Sequence, residues 1–115
     1  MSANQETEVK KADEQQEKDW LVLDLEKPVT YNGMQINQLD MSSLREMTGR
    51  NLNVIYDLYA SQGGDRVIMQ ESTLLFAQVV ASRVCGYPVE AVQELKAKDS
   101  VYLKNRVYRF FFRSE

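Results

Sequence analysis

The sequence predicts a small α+β domain: an N-terminal antiparallel β-hairpin, then a bundle of about four helices packed round one buried helix. Three observations carry that prediction. Leu21, Leu23 and Leu25 alternate with Trp20, Val22 and Asp24, the period of two that gives a strand one apolar face. Asn32-Gly33 lies between two extended runs and supplies both positive-φ positions of a type I′ hairpin turn. In residues 71–86, ESTLLFAQVVASRVCG, the side chains of Leu74, Leu75, Phe76, Val79, Val80, Val84 and Cys85 fall on nearly every side of a helix. A helix apolar all round belongs inside a protein, and its burial offsets the ordering of its backbone only if neighbours wrap it.

Composition bounds what such a domain can do. With 115 residues, 43% hydrophobic and 27% charged, the chain holds one domain with a small core. It contains no histidine, which removes the commonest general base and transition-metal ligand, and with them Ser-His or Cys-His nucleophiles. Cys85 is the single cysteine; on the buried helix it reads as an inert core residue rather than a reactive thiol, in a reducing compartment. The net charge of −3 argues against nonspecific nucleic-acid binding. With no basic-then-apolar leader and no apolar run long enough to span a bilayer, a cytoplasmic location without membrane contact is expected.

The elements follow in order. Residues 1–18, MSANQETEVKKADEQQEK, have too few apolar side chains to offset ordering, so they read as a disordered polar tail, with an arm ordered by a partner as the alternative. The single domain is expected over 19–115. Its hairpin region spans 19–41: the first strand is broken at Lys27-Pro28, resumes at Val29-Thr30-Tyr31, turns at Asn32-Gly33 and returns through Met34, Ile36 and Leu39. Thr48 caps an amphipathic helix over 48–62, with Leu52, Ile55, Tyr56, Leu58 and Tyr59 on one face. Gln62-Gly63-Gly64-Asp65 ends it. The central helix occupies 70–85, with Ser72 as N-cap, Glu71 at the positive dipole end and Gly86 then Pro88 as stop. A short helix over 88–95 starts at Pro88, residues 96–98 form a polar break, and Asp99 or Ser100 caps a last helix over 99–113.

That last helix carries the most informative pattern. Val101, Leu103, Val107, Tyr108, Phe110, Phe111 and Phe112 spread over an arc of about 200°, roughly twice what a surface helix must bury. Arg106, Arg109 and Arg113 share the remaining side. Three readings stand: the phenylalanines pack into the core beneath solvated arginines, the helix grips a partner, or it grips nucleic acid. Candidate partner-binding residues are Leu52, Ile55 and Tyr59 of the first helix and Arg106, Tyr108, Arg109, Phe111 and Phe112 of the last. Gly63-Gly64-Asp65-Arg66 lacks the third glycine of a dinucleotide loop and the Lys-Ser/Thr of a P-loop, and reads as a turn. Asp40, Glu46 and Asp57 have no spacing that sets a pair of carboxylates over a substrate, so no catalytic residue, metal site or cofactor is expected.

Taken together, the KPVTYNG-type hairpin, the L-R-E-M-T-G lead-in at Leu44–Gly49 and the G-Y-P-V-E-A-V-Q-E-L exit at Gly86–Leu95 resemble the tail assembly chaperones of Mu-like and related contractile-tailed bacteriophages and prophages. The resemblance covers about Trp20 to Phe112 and consists of packing and turn patterns, with no catalytic fingerprint. It implies a nonenzymatic role in the host cytoplasm: binding the tape measure protein and keeping it soluble until the tail tube forms around it. Self-association is a further expectation. The family also implies a longer version of the chain made by ribosomal frameshifting, for which the codons of Phe110-Phe111-Phe112 offer a run of T; TTC codons with no open overlapping frame would remove it. Two other functions fit the same residues, a structural tail-completion protein and a small nucleic-acid-binding regulator.

Overall fold

The computed structural model describes residues 18–65 and 67–113. The expected polar tail, apart from Lys18, lies outside the described residues, as do Arg66 and the last two positions. The architecture is α+β: a two-stranded antiparallel sheet, β1 (Val22–Tyr31) and β2 (Met34–Asp40), followed by helices α1 (Gly49–Ser61), α2 (Leu74–Cys85), α3 (Val89–Val92) and α4 (Ala97–Phe112). Short 3-10 turns at Ser42–Glu46 and Gln70–Ser72 lead into α1 and α2.

The hairpin forms where alternation and turn chemistry place it. Leu21, Leu23 and Leu25 are buried, and Asn32 (φ 50°) and Gly33 (φ 80°) take the left-handed conformations that close the two-residue turn. Lys27-Pro28, expected to break the strand, does not. Register runs from Asp24 opposite Gln38 to Val29 opposite Ile36, so residues 25–28 bulge out of the ladder and Pro28 sits where no ladder N–H is required. The N–H groups of Glu26 and Lys27 donate instead to the two carboxylate oxygens of Asp99, at 3.0 and 3.1 Å.

Thr48 caps α1 as expected. Its hydroxyl accepts from the Asn51 N–H while the Asn51 side chain accepts from the Thr48 N–H, a reciprocal capping box. The helix ends at Ser61, with Gln62 as C-cap.

The central helix starts later than its polar residues suggest. The Ser72 hydroxyl is spent on the Met69 carbonyl in the preceding turn, and Thr73 caps α2 by accepting from Phe76 N–H at 3.1 Å. Gly86, at φ 82°, closes it in the left-handed conformation. The helix is central, with α1, α3, α4 and β2 all packed against it. Its buried part is the continuous run Phe76–Ala81; Leu74 is exposed and Val84 and Cys85 are half-buried.

The last helix begins two residues before the expected cap, at Ala97. Asp99 lies in its first turn but caps nothing there, because its carboxylate reaches across to the β1 bulge. Lys96 stands at the N-cap without a side-chain bond. Leu103 and Val107 of α4 join the core with Phe76, Ile55 and the hairpin leucines.

Candidate partner-binding surface

The first-helix candidates turn inward. Ile55 and Tyr59 are buried in the core, and Leu52 is half-buried against it. Ile55 and Tyr59 therefore do not offer a docking face, which corrects the expectation for this helix. Their stripe is the narrow one an amphipathic surface helix buries, and Tyr59 meets Phe76 edge-on at 6.0 Å between ring centres. Tyr59 is fixed further by its hydroxyl, which donates to the Asp65 carbonyl at 2.9 Å.

The last helix divides. The overwide apolar arc resolves into two faces: Leu103 and Val107 point into the core, Phe110 and Phe111 pack half-buried at its edge, and Val101, Tyr108 and Phe112 stay out. Phe111 meets Phe76 edge-on at 5.7 Å, so it anchors α4 to α2 and is not a free contact. Tyr108 and Phe112 are 37% and 40% exposed, with ring centres 4.7 Å apart, one turn from each other. Val101 is 49% exposed on the same side. It was legible in the wheel as part of the excess arc, but nothing in the pattern told which edge of that arc would be left over.

The arginines divide as well. Arg106 Nη1 donates to the backbone carbonyls of Trp20 and Val22, at 3.1 and 3.3 Å, and so ties α4 to the start of the hairpin. Arg109 lays its guanidinium over the Trp20 ring, 4.1 Å from the centroid, in cation–π geometry. Arg45 approaches the same ring at 5.9 Å and donates to Asp19. Arg106 is therefore not the solvated charge that the simplest reading of the helix expects, whereas Arg109 is exposed with one side resting on Trp20. Sequence reasoning missed Trp20 as their common partner because the contact joins residues far apart in the chain.

A second exposed apolar group escaped the sequence reading. In the loop before α2, Ile68 is fully exposed, with Val67 and Met69 also outward, and Leu74 follows at the start of α2. The 3-10 turn between them packs against α4. A hollow of about 430 Å³ lies beside Ile68, lined by Tyr56, Tyr59, Ala60, Gly64, Gln70 and Glu71. Burial and a hydrogen bond to the Glu71 carboxylate push the Tyr56 phenol up to about 12.

The remaining chemistry is quiet. The Cys85 thiol donates to the Asp40 carbonyl at 3.4 Å, and burial, with the Asp40 charge nearby, pushes it up to about 12, far from the thiolate range that nucleophilic cysteines need. Among the described residues, no group of three or more His, Cys, Asp or Glu is placed to hold a metal ion, and no helix is long and apolar enough to cross a membrane. Comparison with protein-family models, curated proteins and solved structures yields no match. On α4, the exposed side chains of Val101, Tyr108 and Phe112 form an apolar ridge over three turns, rimmed by bases.

Proposed function

We propose that this chain is a tail assembly chaperone of a contractile-tailed phage or prophage, which binds the tape measure protein in the bacterial cytoplasm and keeps it soluble, without catalysis. The resemblance of the hairpin, the α1 lead-in and the α2 exit to that family motivates the reading. The observation that carries it is the ridge of Val101, Tyr108 and Phe112, left exposed on a helix whose other face already fills the core. A long helical protein awaiting assembly exposes apolar helix surface, and a small domain with an unpartnered helix face is suited to cover it in many copies. Nucleic acid is a poorer fit, since Arg106 is committed to hairpin carbonyls and the chain as a whole carries a net charge of −3.

The test is co-expression with fragments of the longest helical protein encoded just downstream. Fragments that are insoluble alone should appear in the soluble fraction and co-purify with this chain. If they precipitate equally with and without it, the chaperone reading is wrong.

A further inference from the structure

The outer face of α4 has a charge pattern as well as an apolar one. At about 100° per residue, Val101, Tyr108 and Phe112 fall within about 40° of one another, with Lys104 along one side and Arg109 then Arg113 along the other. Residues 97–113 carry five bases against one acid, in a chain whose net charge is −3. That one acid, Asp99, is buried and bound to the β1 bulge, so α4 presents no carboxylate outward. Among the described residues, no hydrogen bond or ion pair ends on the side chains of Lys104, Arg109 or Arg113. Arg109 is also held in place: stacking on Trp20 fixes its plane and reduces the rotamer freedom it would lose on meeting a carboxylate.

We propose that this face is the seat of an acidic amphipathic helix from a partner protein, laid along Val101, Tyr108 and Phe112 with its carboxylates against Lys104 on one flank and Arg109 and Arg113 on the other. The ridge from Val101 to Phe112 is about 16 Å long, three turns, and its i, i+7, i+11 spacing keeps it on one line along the helix, where the apolar stripe of a partner helix can lie. The flanks select acidic partners and exclude basic ones by like-charge repulsion. The chain's own acidic residues 1–17 do not supply such a stripe, since Val9 and Ala12 are nearly their only apolar residues after Met1. The inference rests on the chaperone reading only for the identity of the partner, a segment of the tape measure protein.

The experiment titrates the full chain with a designed tryptophan-free amphipathic helical peptide of about five turns, leucines on its stripe and glutamates on both flanks. A twin peptide carries lysines at the glutamate positions. Trp20, the only tryptophan, lies under Arg109 and reports binding by its fluorescence. The glutamate peptide should bind one to one, roughly tenfold or more tighter than its twin, and weaken as salt rises. Phe112→Asp and Arg113→Glu should each weaken it by roughly tenfold with the melting transition unchanged, while Arg50→Glu, exposed on α1, should leave it alone. Equal affinity for the two peptides, no binding, or binding indifferent to both substitutions overturns the proposal. So does a dimer by light scattering that Phe112→Asp dissolves, because a second copy then occupies the face. The same variants in the co-expression assay separate the two readings. Solubilisation that survives both substitutions refutes this seat and leaves the chaperone; peptide binding without solubilisation refutes the chaperone and leaves the seat.

Discussion

At the residue scale, Asp99 and two surface aspartates illustrate how far a carboxylate's role depends on its tertiary partner. Asp99 is buried in the first turn of α4, yet it serves the hairpin, closing two backbone N–H groups that the bulge at residues 25–28 would otherwise leave open. Asp99→Ala should cost about 1–3 kcal/mol in urea or thermal denaturation, for two part-buried hydrogen bonds to a charged group, and Asp99→Asn should cost less because it keeps one acceptor. Asp19 and Asp40 work at the surface. A hydrogen bond from the Arg45 side chain, then one from Leu21 N–H, holds the Asp19 carboxyl below its ordinary value; the Ser42 hydroxyl and N–H do the same for Asp40. Both are depressed in the folded state, so their contribution is complete above the unfolded aspartate value and is lost as pH falls through the folded values. Stability followed by circular dichroism should therefore hold from neutrality to about pH 5 and decline below about pH 4. A stability that rises on acidification through that window would contradict the assignment.

At the element scale, the turn after α1 is set by an aromatic ring. Gly64 lies flat on Tyr59: a β-carbon there would come within 2.3 Å of the ring, and the ring is pinned by burial and by its bond to Asp65. Gly64→Ala should destabilise the chain by about 1–3 kcal/mol, measured by denaturation, as overpacked sites do. In the sequence, Gly63-Gly64 was legible as a turn, but its dependence on Tyr59 was not. The same division runs through the fold. The hairpin turn, the leucine face, the Thr48 cap and the Gly86 stop are local: each follows from residues within a few positions of one another. The continuity of β1 through Pro28, the early start of α4 and the choice of Thr73 over Ser72 as cap depend on bonds made elsewhere, and those bonds are invisible to periodicity. For the candidate surface, helix periodicity marked α4 as too apolar for one buried face. Only packing assigns Phe111 to the core edge and Val101, Tyr108 and Phe112 to the exterior.

At the scale of the whole molecule, one side of the fold is closed and another is left unfinished. The hairpin leucines, α1, α2 and the inner face of α4 enclose a single core, and Arg106 locks the hairpin to α4 from outside. The outer face of α4 contributes nothing to that closure, which is why a charge at Phe112 should spare folding and cost binding. The measurement that bears most directly on the account is the mass, by light scattering, of the complex purified after co-expression with a tape measure fragment, for the unaltered chain and for Phe112→Asp. Several copies per fragment are expected for the unaltered chain, and a mass approaching that of the separate components for Phe112→Asp. Recovery of the unaltered chain alone, with the fragment left in the pellet, would contradict it.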